Sequence, residues 1–511
     1  MIDELWHIFM VRRYHHSMLG FDTTARTPRA DMKPGTSVVV AMACAAEFMV
    51  VMDASIIAIA TPSIGSDLQM SPGALSWVVN AYVLMFAGGM LVGGRLGDLF
   101  GLRRVFILAT IVFAGASLVA GLASEGWQLL AARAVQGMGG AALAPVSLAL
   151  ISATLPEGPA RSRAVGLWTA VGIAGGAVGN VVGGTLTQLA DWRWVFWLNV
   201  PLGVLAVVAA AIVLQAPTSA QRKDPAGTRA RRLDLQGAAL ATVGLVIASW
   251  AISGTDLISS GALSSGWPRF GALAIGSLLL IAFVWSQRRP TTTPVQEGTG
   301  TMPVDPLLPL GLFAHRGISS GTVTMLLAGA TLMPMWFYIS LLMQNTLGYN
   351  PLRAGLGFLP HATVTALIGA GLAPRLMDRV SARVLVLCGC LIAAAGFAWQ
   401  AFTAGPPTSG DAGTYLSVIL GPAIVISVGG GLLNTPLTTA ILAGASPNDS
   451  GAVSGLLNTT KQVGAAIGLA ALTALLATTG PADYRPAFIA MAALMTLATA
   501  SSMLLPATKT E

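Results

Sequence analysis

Gly94-Arg95-Leu96-Gly97-Asp98-Leu99-Phe100-Gly101-Leu102-Arg103-Arg104 separates two apolar runs, 75–94 and 105–123. Each run is long enough to cross a hydrocarbon layer of ~30 Å as a helix. The stretch between them carries more charge than a simple reversal needs. Gly94, Gly97 and Gly101 allow close backbone approach and a sharp turn. Asp98 reads as a carboxylate at a helix end, where unpaired N–H groups and cations are at hand. Arg103 and Arg104 hold such a turn on the cytoplasmic side of a membrane.

The remaining composition agrees with a membrane solvent. Only 10% of the 511 residues are charged, and the mean hydropathy is +0.72. A soluble fold of this length would need far more polar surface. The 59 glycines suit close-packed and kinked helices in a bilayer. The net charge of +7 is no nucleic-acid signal, because the basic residues concentrate in alternate loops. Cys44, Cys388 and Cys390 lie within apolar runs and form no zinc pattern. Arg12, Arg13, Arg26, Arg29 and Lys33 interrupt the N-terminal stretch, which therefore reads as a cytoplasmic extension and not as a signal peptide.

Apolar runs and breaker residues give fourteen spans. Six fall at 38–61, 75–95, 104–123, 127–150, 164–188 and 195–215, and two at 235–253 and 268–286. The last six are at 318–343, 354–374, 384–403, 414–434, 452–478 and 485–506. With both termini in the cytoplasm, 22 of the 28 Lys and Arg fall on the inner side, whereas only Arg193, Arg269, Arg353 and Arg485 fall outside. Arg133 and Lys461 lie within spans. The segment 435–451 has no cation and is the weakest point of this topology. The domain reading is then an extension over 1–37, a six-helix bundle over 38–215, linkers with two extra helices over 216–317, a second six-helix bundle over 318–506, and a cytoplasmic tail over 507–511. The expected fold class is an all-α polytopic membrane protein of two six-helix bundles plus two inserted helices.

Several motifs carry a family resemblance. The 94–104 turn resembles the loop Gly-x-Leu-x-Asp-x-x-Gly-Arg-Arg/Lys between the second and third spans of the major facilitator superfamily. There it is understood as a latch on the cytoplasmic gate, and Leu99 and Leu102 replace residues that are usually basic. Arg375-Leu-Met-Asp378-Arg379-Val-Ser-Ala-Arg383 aligns without gaps on Arg95 to Arg103, as expected for two related halves. The first span reads Glu47-Phe-Met-Val-Val-Met-Asp53-Ala-Ser-Ile-Ile-Ala-Ile-Ala-Thr-Pro62. It is similar to the Leu-Asp-x-Thr-Ile-Val-Asn-Val-Ala-Leu-Pro of fourteen-span drug:proton antiporters, with Ser55, Ala58 and Thr61 as departures. A charge in such a helix costs at least ~2.5–3.5 kcal/mol, so function or pairing is the default. An apolar medium favours the neutral form of a carboxyl. A group poised that way takes a proton on one side and releases it on the other. Glu47, six residues before Asp53, points about 120° away round the helix and need not share its cavity. The competing reading for both is a structural tie to neighbouring helices.

The fourth span contains Arg133-Ala-Val-Gln136-Gly137-Met-Gly139-Gly140. It resembles the family's Arg-x-x-Gln-Gly-x-Gly-Ala, whose Arg is implicated in proton transfer. A guanidinium in a span needs an acceptor or water, with snorkelling toward Trp127 as the alternative. Gln136 is one turn along and can share its network. The fifth span, Gly166-(eight residues)-Gly175-x-x-x-Gly179-Asn180-Val-Val-Gly183-Gly184, resembles the antiporter signature Gly-x8-Gly-x3-Gly-Pro-x2-Gly-Gly, with Asn180 in place of Pro. Gly175, Gly179 and Gly183 form a smooth stripe against which another helix can pack. Asp191-Trp-Arg-Trp-Val-Phe-Trp-Leu-Asn-Val-Pro-Leu-Gly203 resembles a marker of the same family and reads as structural, with an aromatic belt.

The second half is less explicit. His361 reads as an interfacial bystander. Asn458 and Lys461 belong to a segment resembling the family's thirteenth span, where Arg is more usual than Lys, and Lys461 can snorkel or pair with a carboxylate. Met325, Met333, Met335, Trp336, Phe337 and Tyr338 enrich the ninth span and read as an adaptable lining or as ordinary packing. No phosphate loop, His-Glu-x-x-His or Gly-x-Ser-x-Gly is present, so the chain is expected to be no enzyme, to need no cofactor or metal, and to draw on a proton gradient. The resemblance implies a monomeric drug:proton antiporter of the plasma (inner) membrane, with small-molecule substrate, protons and lipid as its partners. Export of one endogenous metabolite, and a non-transporting scaffold or sensor, are the alternatives.

Overall fold

A computed structural model describes residues 34–156, 158–214, 234–254, 266–288, 306–308, 310–405, 415–444, 450–477 and 483–506. Residues 1–33 of the extension expected over 1–37, most of both linkers and the tail over 507–511 lie outside these residues. The described chain is helical throughout. We number its long helices α1 (Pro34–Asp67), α2 (Pro72–Phe100), α3 (Leu102–Gly121), α4 (Gly126–Thr154), α5 (Pro159–Leu189), α6 (Trp194–Val213), α7 (Leu235–Ser253), α8 (Gly266–Ser286), α9 (Arg316–Thr346), α10 (Pro351–Met377), α11 (Ala382–Thr403), α12 (Leu416–Leu442), α13 (Ser450–Leu476) and α14 (Arg485–Ser502). Thirteen of these, all but α14, are long and apolar enough to cross a membrane. α14 has 18 residues but opens on Arg485-Pro486 and closes on Ser501-Ser502, which lowers its mean hydropathy.

Helix ends differ from the apolar runs for local reasons. α1, α2 and α5 begin three to five residues early, each with Pro in its first turn, where the missing N–H costs nothing. Ser71 caps α2, its hydroxyl accepting from the Ala74 amide at 3.2 Å. α12 does not stop at 434 but runs through Pro436 to Leu442. Side chains occupy the backbone oxygens near the proline: Asn434 Nδ2 donates to Gly430 O at 3.0 Å and Thr438 Oγ1 to Asn434 O at 2.9 Å. The cation-free segment is therefore much shorter than 435–451.

The 94–104 stretch is also corrected. α2 continues helically to Phe100, so Gly94, Gly97 and Asp98 lie inside a helix and not in the turn. Asp98 occupies the C-terminal turn, where carbonyls and not amides are left over. The turn is made by Gly101 alone, at φ 86°, a region that only glycine enters without strain. Close approach to α4 is made by Gly93, against the Ala141 carbonyl, and Gly94 is exposed.

α1–α6 and α9–α14 form two six-helix groups. α7 and α8 pair with each other, and α7 lies against both α2 and α13. Trp77 Nε1 of α2 donates to Ser253 Oγ of α7 at 3.3 Å. The groups meet extensively where α2 crosses α13, where α5 crosses the early part of α10, and where α1 meets α9. Gly184 of α5 abuts the Pro351 carbonyl, and Gly355 abuts the Asn180 carbonyl. Ser340 Oγ donates to Ala58 O at 2.7 Å, and Gln344 Nε2 to Ile59 O at 3.1 Å. The contacts of Gly184, Gly355, Ser340 and Gln344 lie toward the end of the molecule away from Arg103. At the Arg103 end, the later part of α10 (residues 367–377) packs mainly within its own group.

Candidate functional site

α1 reaches the centre of the first group with Asp53, which is fully buried. Three donors surround its carboxylate. Arg133 Nη1 donates to Oδ2 at 2.6 Å, Gln136 Nε2 to Oδ1 at 2.7 Å, and Asn199 Nδ2 to Oδ1 at 2.9 Å. The network extends outward from there. Arg133 Nη1 also donates to Gln136 Oε1 at 2.7 Å, and Arg133 Nε to the Val78 carbonyl at 3.0 Å. Gln136 Nε2 lies 2.6 Å from Ser117 Oγ. The guanidinium sits 4.4 Å from the centre of the Tyr82 ring and 5.8 Å from that of Phe196, a cation–π environment. Five of the six helices of the first group thus converge on one ion pair; α5 is the exception.

Arg133 is the largest fully buried side chain among the described residues. It turns into the bundle and does not snorkel toward Trp127. The helical spacing of Arg133 and Gln136 places both heads on the same partner, as i,i+3 neighbours do. Burial of such a pair is costly and is tolerable only when the remaining donors and acceptors are satisfied. The three donors on Asp53 meet that condition for the acid.

Glu47 does not join this centre. It leans over Gly172 of α5, where an added Cβ would lie 3.2 Å from its Cγ, and its Oε2 is buried with no hydrogen-bond partner. The stripe on α5 seats α1 closely. A Cβ at Gly175, Gly179 or Gly183 would lie 3.0, 2.8 or 3.0 Å from the carbonyl oxygens of Phe48, Met52 and Ile56, which are themselves four residues apart. Gly166 takes no part, since nothing lies within 4 Å of its Cβ position. Gly184 and Asn180 face the second group instead. Asn180 donates from Nδ2 to Gly176 O at 3.0 Å within its own helix.

Arg103 donates from Nη2 to the Ala211 carbonyl at 3.1 Å, tying α3 to the end of α6 within the same group. Arg104 is exposed. The side chain of Asp98 lies outside the described residues. In the second group, Asp378 and Arg379 are exposed in the turn after α10, and Arg383 opens α11. Asn458 is exposed on α13, donating to Ser454 O at 3.1 Å. Lys461 has no carboxylate partner among the described residues. His361 is not interfacial. It is buried, with Nδ1 2.7 Å from Ser427 Oγ and Trp336 edge-on at 4.6 Å between ring centres.

Sequence reasoning missed Asn199, Ser117 and Tyr82. Asn199 sits in Leu198-Asn199-Val200-Pro201, a segment read as structural. An amide in an apolar run next to a proline was the available signal.

A bundle of membrane-length helices with a buried, hydrogen-bonded ion pair at the centre of one half is an architecture suited to a membrane transporter. Comparison with known proteins agrees. The family model for the Major Facilitator Superfamily matches residues 43–257 and 236–469, and the chain belongs to that family of membrane transporters. It is 43% identical over 498 residues to the cephamycin export protein CmcT of Amycolatopsis lactamdurans, covering 96% of each chain. It is 36% identical over 431 residues to the puromycin resistance protein pur8 of Streptomyces alboniger, covering 84% of this chain and 79% of that one. It is 30% identical over 431 residues to the tetracenomycin C resistance and export protein of Streptomyces glaucescens, covering 84% and 74%. Among solved structures, a D-xylose-proton symporter superposes with a TM-score of 0.63 at 13% identity, covering 93% of this chain and 98% of that one. The nucleoside transporter NupG gives 0.60 at 10% identity, covering 92% and 98%. Those two likenesses concern the fold alone.

Proposed function

We propose that the protein is a fourteen-span drug:proton antiporter that exports hydrophobic drugs or antibiotics, charged ones included, across the plasma membrane, with both termini in the cytoplasm. The observation that carries this reading is the Asp53 centre: a single acid, wholly buried, held by Arg133, Gln136 and Asn199 from two other helices. Such a carboxylate can exchange a proton for the Arg133 pairing, and the exchange loosens the tie between α1 and α4. Alternating access gives that event a direction. The two groups meet away from the Arg103 end, so this is the form open to the cytoplasm under the proposed topology. Substrate enters from that side. After rocking, Asp53 takes a proton from outside as substrate leaves, and returns it inside in the reverse motion. Arg103, anchored on α6, keeps the α2–α3 turn rigid as the first group moves.

A dedicated exporter of one metabolite is the second reading. Its support is the 43% identity along 96% of both chains to a protein named for cephamycin export. Everted vesicles from a pump-deficient host test the main reading. Asp53→Asn should abolish uphill efflux of puromycin driven by a pH gradient at unchanged expression. Full-rate, gradient-dependent efflux by that variant contradicts it.

A further inference from the structure

Glu47 and Lys461 are charged side chains outside the Asp53 centre, one in each six-helix group, and neither has an ion-pair partner among the described residues. Glu47 of α1 leaves Oε2 without a hydrogen bond. Lys461 of α13 has no acid within ion-pair distance among the described residues. Ions in a membrane interior pair with each other, face water or serve a ligand.

Their placement is informative. Glu47, Val51, Ala54 and Ala58 share one face of α1, at helical spacings of four, seven and eleven residues. Ala58 on that face touches Ser340 of the second group, and Ala54 is exposed. Glu47 therefore lies where the face packed on α5 at Gly172 borders the side turned toward the other half. On α13, Gly464 and Gly468 pack on backbone of α9, whereas Val463, Ala466 and Ile467 pack with α2 and α7 residues. Ser454, Asn458 and Lys461 form a polar stripe bordering the face packed on α9, where Gly329 meets the Lys461 backbone; Ser454 and Asn458 are exposed. A polar stripe of this kind is costly against lipid and fits the water-filled space between the groups.

Depth along the membrane normal matches as well. Ala58 and Ser340 mark the level where the groups touch. Glu47 is eleven residues inward of Ala58 on α1. Gly329, whose Cα abuts the Lys461 carbonyl, is eleven residues inward of Ser340 on α9. At 1.5 Å per residue both residues stand about 16 Å below the contact, one in each group.

We infer that Glu47 and Lys461 are the two poles of a substrate site for amphoteric small molecules, the ammonium of the ligand facing Glu47 and its carboxylate facing Lys461. This deepens the export reading and rests on it. The two poles belong to different groups, so an amphoteric ligand links the two halves as they move, which an apolar one cannot do. Opposed charges also set orientation and reject molecules with the wrong sign at either end.

The test pairs side chains with ligand groups. Binding of cephalexin, which carries one ammonium and one carboxylate, is measured by tryptophan fluorescence on the full chain in lipid nanodiscs. Its methyl ester, its N-acetyl derivative and the doubly blocked compound complete the set. The wild type should bind cephalexin at least tenfold more tightly than either singly blocked compound. Glu47→Gln should erase the penalty for acetylation and keep that for esterification, and Lys461→Met should do the reverse. Equal affinity for all four probes, no binding of any, or an equal loss for all four in each variant overturns the inference. So does full recovery of all four by exchanging the two charges, Glu47→Lys with Lys461→Glu, which would mean that they pair with each other. Puromycin efflux that still depends on Asp53, alongside a flat charge series, would sink this inference and leave the export reading standing.

Discussion

In the first six-helix group a carboxylate, a guanidinium, two amides and a hydroxyl meet at one buried point: Asp53, Arg133, Gln136, Asn199 and Ser117. In the second group the buried polar contacts among the described residues are separate and local. His361 meets Ser427 at 2.7 Å, Tyr338 meets Thr473 at 3.0 Å, and Gln400 donates to the Val418 carbonyl at 2.7 Å. Between Arg316 and Pro506 the only acids in the sequence are Asp378, Asp411, Asp449 and Asp483, and the two among the described residues, Asp378 and Asp483, lie outside the long helices. The large apolar cluster of the second group, from Ile318 to Leu505, fills that space with Met, Phe and Leu. One half therefore stores its buried polarity in a single coupled network, and the other distributes it. The division suits a machine in which the first half handles the proton and the second supplies a stiff, close-packed counterpart.

The sharpest way to break that comparison is to remove the cation. Arg133→Leu leaves Asp53 buried without its charge partner, a loss of about 3–5 kcal/mol for such a pair. The expected outcome is a large drop in melting temperature in detergent and no gradient-driven efflux. Lys461→Met in the second half should leave thermal stability nearly unchanged, and equal destabilisation by the two would erase the distinction.

Next in size is the α1–α5 seam. Gly179→Val places atoms where the Met52 carbonyl and Ser55 already sit, and overpacking of this kind costs about 1–3 kcal/mol or more. Transport should fall sharply. Gly166→Val, in open space on the same helix, is the control and should transport normally; a matching defect there would detach the effect from packing.

Asn199→Ala removes one of the three donors to Asp53, worth about 1.5–3 kcal/mol for a bond to a charged group. We expect efflux reduced about tenfold or more, with the pH profile displaced, since the carboxylate loses a stabilising donor while the protonated acid does not. An unchanged profile would leave Asn199 a packing residue. Smallest of all, Ser427→Ala should cost about 1 kcal/mol or less and leave the pH dependence of transport as it was. A displaced pH profile in that variant would give the second half a share of the coupling.

The fold was legible because a bilayer imposes a length and a charge bias that single residues report directly. The 94–104 turn and the alternation of Arg and Lys sufficed to order the spans. Boundaries were less legible where breaker residues sit inside helices. Pro436 reads as a stop, yet α12 passes through it to Leu442. Asp53, Arg133 and Gln136 stood out as polar groups in apolar runs. Asn199 did not, because its contact with Asp53 spans 146 residues of chain, and no local pattern reports a contact of that separation. The stripe of Gly175, Gly179 and Gly183 could be read as a packing face, but its partner could not. Only the fold pairs it with Phe48, Met52 and Ile56 of the helix that carries Asp53.

The central claim is that protonation of Asp53 couples the gradient to the motion. Purified protein in proteoliposomes separates coupling from binding: uphill, pH-driven transport and gradient-free substrate exchange are measured side by side for the wild type and Asp53→Asn. The account predicts that the variant keeps exchange and loses uphill transport. Uphill transport at the wild-type rate in the variant would contradict it.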